Sequence, residues 1–391
     1  MNTLLALGIA MAAGLLMTRI IKLVHLPNVT AFLIAGLLIG PSVSGLISAE
    51  AIDGFDIIVN VALGFIAFSI GGEFRLSSLK SLGKRITVIT GFQAFTATIF
   101  VLLILLVTGT DKSIAFTLSA IATATAPAAT LLVVRQYKAK GPLTDTLLPV
   151  VALDDAFGLM IFSIFFSIAK ALATGTEPSV ENMLVEPLVE IVLSLVIGAA
   201  IGALLALCCR FFKSRANRLS LCVMATVVGV ALSEILSLSS LLVCMMIGAL
   251  FANLCGEYEK ILEGVDRWTP PLFMLFFVIS GAELNLSVLP SVGIVGVLYI
   301  LFRAFGKYSG AFVGAAVTHS PKEVRDYLGL TLLPQAGVAV GMAQMAVAEL
   351  PAEYGMKIQA VVLCATLVYE IVGPVITKIS LAKAGEITVG K

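Results

Sequence analysis

The stretch VALDDAFGLM, residues 151–160, sets two adjacent carboxylates, Asp154 and Asp155, inside an apolar run that extends from about 144 to 171. A charged group at the centre of a bilayer costs from about 2.5 to well over 10 kcal/mol, so acids in such a run mark a functional position. Neighbouring residues on a helix point about 100° apart, so the two carboxylates face different surroundings and suit different tasks. They cannot ionise independently at this separation, and their titrations are coupled.

The run is one of many. Of 391 residues, 59% are hydrophobic and 13% are charged, a composition whose unit is the apolar span rather than the soluble core. With a helical rise of about 1.5 Å and a hydrocarbon slab of roughly 30 Å, stretches of about 17–25 apolar residues are candidate spans. Thirteen such stretches are read, at 3–21, 29–47, 55–72, 86–108, 114–134, 144–171, 187–209, 219–236, 238–255, 270–283, 291–317, 326–348 and 357–379. The expectation is an all-α polytopic membrane protein of about thirteen transmembrane helices.

Charge checks the count. With loops assigned alternately to two sides, 20 of the 25 Lys and Arg fall on one side; Lys112, Lys170 and Lys357 fall on the other, and Arg303 and Lys307 lie within a span. The positive-inside rule then predicts an external N-terminus, a cytoplasmic C-terminus and residence in the inner, cytoplasmic membrane. The first span has its basic residues after the apolar run, so it reads as retained rather than as a cleaved signal.

The same pattern excludes several classes. The six cysteines lie in or beside apolar helices without CxxC spacing, as small hydrophobic residues. Segments between spans are too short for a nucleotide-binding domain, and no basic run suits nucleic acid. An intramembrane aspartyl protease draws its acids from two helices, usually with a GxGD motif; these acids are adjacent and the motif is absent. A channel needs a continuous polar lining. The reading is a transporter rather than an enzyme, with no cofactor.

Three further intramembrane charges need partners. Lys307 is the expected counter-ion of the acid pair, and it can also lose its proton, whereas Arg303 remains charged. Arg303 and Glu370 are expected to form a static ion pair locking the eleventh and last spans. Asn60, Gln93, Gln335 and Gln344 are read as uncharged bridges between helices. Glu73, Glu234 and Glu283 fall at span ends, and His25 and His319 are read as loop residues.

Two spans are interrupted. Pro127 in AIATATAPAAT, residues 120–130, removes a backbone hydrogen bond and disfavours helix at Ala126; Pro334, Gly337 and Gly341 in TLLPQAGVAVG, residues 331–341, make a second break. Each break precedes an acid-bearing span by one, and the span with Gln93 corresponds in the same way to the span with Lys307. Seven helices separate the members of each pair, an odd number, which predicts inverted-topology repeats with two discontinuous helices crossing at the midplane, the device of secondary transporters. Small residues at Gly198 and Gly202 in GAAIG predict a packing face on the seventh span.

LDDAFGL, TATAPAAT, RAFGKYSGAFVGA, LLPQAGVAVG and the early PNVTAFLIAGLLIGPS together resemble the monovalent cation:proton antiporter superfamily, in its sodium/proton exchanger branch with paired aspartates, over nearly the whole chain. The resemblance implies a homodimer with a dimerisation domain at 1–85 and 216–288, a core ion-transport domain at 86–175 and 290–382 that moves like an elevator, and a linker helix at 183–215. It implies that Asp155 binds the cation and carries protons, that Asp154 pairs with Lys307, and that Thr125 and the carbonyls of Thr123 to Ala126 line the site. Ala126 stands where relatives often have a hydroxyl residue, so backbone and water would supply more of the oxygen shell. The Asp-Asp pair, in place of Asn-Asp or Gln-Asp, implies electrogenic exchange of two protons for one Na⁺ or Li⁺. A K⁺/H⁺ antiporter and a sodium-coupled solute symporter on a similar fold remain the alternatives.

Overall fold

The computed structural model describes residues 2–23, 26–72, 76–174, 185–284 and 292–387. His25, Glu73 and the side chain of Gln344 lie outside the described residues. Seventeen helices and no strands occur among the described residues. In chain order they are α1 (Thr3–Leu23), α2 (Asn28–Ile39), α3 (Ala49–Asp53), α4 (Asp56–Gly72), α5 (Leu76–Val107), α6 (Lys112–Ile121), α7 (Pro127–Tyr137), α8 (Pro142–Thr174), α9 (Glu186–Phe211), α10 (Arg215–Ile235), α11 (Ser240–Leu254), α12 (Tyr258–Trp268), α13 (Pro270–Glu283), α14 (Gly293–Val317), α15 (Lys322–Thr331), α16 (Gly337–Glu349) and α17 (Ala352–Lys383). Six are long and apolar enough to cross a membrane, and six shorter apolar helices accompany them. The chain is a multi-pass membrane protein.

The thirteen expected spans map onto fifteen of these helices, because the fifth divides into α6 and α7 and the twelfth into α15 and α16. The second span is shorter than expected: α2 stops at Ile39, where Gly40 adopts an extended conformation before Pro41, and a residue preceding proline resists the helical region. Two helices have no counterpart among the spans. One is the short α3. The other, α12, buries only Tyr258, Ile261 and Val265, a one-sided pattern that a search for uniformly apolar runs passes over.

The chain forms two compact units, one of Met1–Leu82 and Val189–Glu283, the other of Gly83–Leu188 and Leu284–Lys391. In the first, α4 and α11 meet backbone to backbone: a Cβ on Gly71 would lie 1.9 Å from the carbonyl oxygen of Met245, and one on Gly248 2.0 Å from that of Phe68. Lipid tails give apolar side chains no advantage in contacting each other, so membrane helices associate where small residues allow this close approach. Gly198 and Gly202 of α9 face the carbonyls of Val243 and Ile247 on α11 in the same way, which gives the GAAIG stretch its packing role. Arg218 and Glu257 join α10 to the start of α12 through two hydrogen bonds of 2.9 and 3.0 Å.

The second unit holds Asp154, Asp155, Arg303, Lys307 and Glu370. Its α14 lies on α5 through three glycines spaced by four. A Cβ on Gly306, Gly310 or Gly314 would come within 2.6, 2.6 and 2.9 Å of the Cα atoms of Ala97, Gln93 and Ile89. That contact fixes the depth of Arg303 and Lys307 on α14 relative to Gln93 on α5. At the other end of the unit the C-terminal turn holds α8. Glu386 accepts from the backbone N–H groups of Leu143 and Thr144 and from the Thr144 hydroxyl at 2.5, 2.8 and 2.6 Å, a carboxylate cap on N–H groups that have no partner inside the helix. Two polar contacts join helix ends within this unit: Lys170 pairs with Glu349, and Tyr354 donates to Asp111.

Candidate ion-binding site

The site is built where two helices stop halfway. After Ile121 the chain leaves the α-helix and resumes it at Pro127, whose missing N–H costs nothing at the first helical position. After Thr331 it does so again until Gly337, with Ala336 in an extended conformation at φ −150° and ψ −134°. The two irregular segments touch: the Ala126 N–H donates to the Pro334 carbonyl at 2.8 Å. Thr125 and Thr130 donate their hydroxyls to the carbonyls of Leu332 and Thr331 at 3.4 and 3.3 Å. The inverted halves therefore cross at their breaks.

Each interruption leaves carbonyls that no helical N–H reaches, at the negative end of a half-helix. Two buried cations of α14 supply the donors. Arg303 gives Nε to the carbonyl of Ala122 at 3.1 Å, Nη2 to that of Ala124 at 2.6 Å and Nη1 to that of Leu333 at 2.8 Å, and its guanidinium lies 4.4 Å from the centre of the Tyr369 ring. One side chain thus ties both breaks together. Gln335 adds a fourth link, donating Nε2 to the Ile121 carbonyl and to the Tyr299 hydroxyl.

This arrangement corrects the expected Arg303–Glu370 ion pair, which does not form. A planar fork of five donors meets the freed carbonyls of both breaks first. Glu370 has a buried Oε1 without a hydrogen-bond partner.

Lys307, one turn further along α14 and 0% exposed, has three acceptors: the Thr123 carbonyl, the Thr125 hydroxyl at 2.8 Å and Asp154 Oδ2 at 2.8 Å. An ammonium has three protons to give, and all three are used. The other oxygen of Asp154 accepts from Gln93 Nε2. Asp154 is therefore satisfied at both oxygens.

Asp155 differs at every point. It is 4% exposed, and neither carboxylate oxygen has a hydrogen-bond partner. Gly158, one turn on, brings the first break close, for a Cβ there would lie 3.3 Å from the Thr123 hydroxyl. The adjacent acids of α8 thus have separate surroundings, one a closed hydrogen-bonded pair and the other a bare carboxylate. Of the expected lining groups, the Thr123 carbonyl and Thr125 hydroxyl are engaged by Lys307, the Ala124 carbonyl by Arg303, and the Ala126 N–H by Pro334. Among the described residues no cluster of three or more His, Cys, Asp or Glu could hold a metal ion.

Gln93 and Gln335, first read as simple bridges, take larger parts: Gln93 holds Asp154, and Gln335 links the two breaks. Tyr299 and Tyr369, which the sequence did not single out, stand beside Gln335 and Arg303. One sequence signal pointed to Gln93, its place opposite Lys307 in the repeat; the glycines at 306, 310 and 314 that seat it there emerge from the structure.

Broken helices crossing inside a helical membrane protein, with buried acids and cations at the crossing, define the class as a secondary ion transporter. The family model described as the transmembrane sodium/hydrogen exchanger matches residues 7–383, and the chain belongs to that family of cation:proton antiporters. Two structures of the sodium proton antiporter MjNhaP1 from Methanocaldococcus jannaschii share the fold. One was determined at pH 8 and aligns with a TM-score of 0.72; the other, an electron-microscopy map, aligns with 0.75. In both, identity is 19% and the alignment covers 98% of this chain and 96% of that one. No curated protein matches the sequence. The substrates are the transported ions, and the protein is a transporter rather than an enzyme.

Proposed function

We propose that the protein exchanges Na⁺ or Li⁺ for protons electrogenically, two protons for each cation, with Asp155 as the shared binding group. The observation that carries this reading is the bare Asp155 carboxylate beside a fully paired Asp154. A desolvated acid without a partner is stabilised by binding either a proton or a cation, and an empty, ionised one is penalised. That penalty couples the two flows, because the transporter crosses between its states with one or the other bound. Water supplies the further oxygens around a hard monovalent cation, since the Thr123 carbonyl and Thr125 hydroxyl stay with Lys307.

The fully hydrogen-bonded Lys307 serves as the fixed counter-ion of Asp154, and Arg303 as the fastener of the two breaks. The unit carrying the charges is the elevator core, and the first unit supplies a homodimer interface, with 183–215 as the link. The charge asymmetry supports an external N-terminus and a cytoplasmic C-terminus in the cytoplasmic membrane. With one net charge moved per cycle, 100 mV supplies about 2.3 kcal/mol, enough for a roughly 50-fold Na⁺ gradient before any pH gradient is added.

The test is reconstitution of the full chain in proteoliposomes containing a pH-sensitive dye, with Na⁺, Li⁺ and K⁺ added in turn at clamped membrane potentials. Voltage-dependent proton movement driven by Na⁺ or Li⁺ is expected. A response to K⁺ alone would reassign the cation, and no response to any of the three would end the antiport reading.

A further inference from the structure

One buried acid of the second unit has no part in the site just described. Glu370 on α17 is 3% exposed, its Oε1 has no hydrogen-bond partner, and none of the ion pairs among the described residues includes it. An acid kept permanently neutral for structural reasons would be expected to donate its O–H to a neighbour, as buried polar groups nearly always do. No such hydrogen bond occurs among the described residues.

The same helix face carries three more polar groups in the same condition. Thr366, Thr377 and Ser380 stand four residues before, seven after and ten after Glu370, within about 80° of arc, and each has a buried hydroxyl without a partner. Three buried threonines of α5 and α6 settle the matter locally: Thr90, Thr98 and Thr117 donate to the carbonyl four residues earlier. The α17 hydroxyls do not. The stripe also faces protein, for a Cβ on Gly373 would lie 2.8 Å from the ring of Pro334, at the second helix break.

Asp155 and Glu370 are thus placed alike in the two inverted halves. Each lies one turn before a glycine, Gly158 or Gly373, that packs against the break preceding it in the chain. Several charged and titratable groups on the helices around α17 have other partners. On α14, Arg303 is bound to carbonyls and lies over Tyr369, Lys307 is bound to Asp154, and Tyr299 takes the amide of Gln335. Arg325 of α15 pairs with Asp326, Glu349 of α16 with Lys170, and Tyr137 of α7 underlies Lys378. Arg135 lies at the C-terminal end of α7, and Lys112 opens α6.

We infer that Glu370 is a second proton-binding site of the exchange cycle, with Thr366, Thr377 and Ser380 as the hydroxyl stripe along which water delivers the proton. The inference rests on the antiport reading above and supplies the second of its two protons. The carboxylate takes a proton from hydronium on one side, leaving water, and returns it to water on the other. No further reactant is needed. Lys307, with its three protons in hydrogen bonds, is not the carrier.

The experiment measures the reversal potential of the purified full chain in proteoliposomes under opposed Na⁺ and pH gradients, which gives the ratio of protons to Na⁺. Wild type is expected at two, Glu370→Gln at one, and Glu370→Asp restored to two, while Thr377→Val slows exchange several-fold at a ratio of two. A ratio of two in Glu370→Gln, or of one in the wild type, overturns the inference while leaving antiport intact. Absence of any cation-driven proton movement in the wild type overturns the antiport reading itself. Should Glu370→Gln fail to fold, infrared difference spectra after a pH jump decide: Asp155→Asn is expected to retain the band of an unbonded buried carboxyl, and its disappearance there overturns the assignment.

Discussion

Adjacent residues of α8 with the same side chain have opposite states because a helix turns them toward different neighbours. Asp154 meets Lys307 and Gln93, and Asp155 meets neither. Asp155→Asn is therefore expected to abolish both Na⁺ binding and Na⁺-driven proton movement while leaving thermal stability close to wild type; calorimetric titration and dye fluorescence measure the two. Near-normal exchange in this variant would remove Asp155 from the site. Lys307→Ala acts differently, since it strands a buried charge on Asp154. Breaking a buried pair from one side costs about 3–5 kcal/mol, so a large fall in the unfolding temperature is expected, and Lys307→Ala with Asp154→Asn should recover much of it. Removing one donor by Gln93→Leu is expected to cost about 1–3 kcal/mol, seen in the same melts. Arg303 shows where residue-level reading reaches its limit. Its charge was legible in the sequence, but its carbonyl partners belong to backbone groups that carry no signature until the breaks are folded.

Elements in this protein are positioned by backbone contact more than by side-chain bulk. The glycines at 306, 310 and 314 let α14 rest on α5, and a side chain at the middle one must push the helices apart. Gly310→Leu is expected to lower stability and to reduce exchange at least ten-fold by withdrawing Lys307 and Gln93 from Asp154, whereas Ala at the more open Gly341, where an added Cβ meets nothing within 4 Å, should be tolerated. Parallel melts and exchange rates separate the two. The Glu386 cap acts at the same scale. Substituting a capping carboxylate by alanine costs about 0.5–2 kcal/mol, so Glu386→Ala should destabilise the acid-bearing helix measurably without touching the ion site. The breaks themselves were plain in the sequence from Pro127 and Pro334. The one-sided α12 and the early end of α2 were not, because apolar length is a poor guide to short amphipathic turns.

At the scale of the whole molecule, two halves of one chain enter the second unit in opposite orientation, and their half-helices meet end to end. The composition, the charge asymmetry and the spacing of breaks and acids were sufficient by themselves to determine a multi-pass helical transporter with crossed, interrupted helices. Those features are one-dimensional: hydropathy over about twenty residues, basic residues on alternate loops, a proline one span ahead of an acid. What the tertiary structure alone decided is the pairing of the charges. An arginine within reach of an acid along the sequence pattern took carbonyls instead, because each half-helix end exposes unsatisfied oxygens that a guanidinium fork fits better than one carboxylate. A lysine found its acid, and a second carboxylate, Glu370, was left outside every ion pair among the described residues. Which charge meets which depends on depth and azimuth within a packed bundle, and those are set by glycine contacts between segments separated by more than two hundred residues.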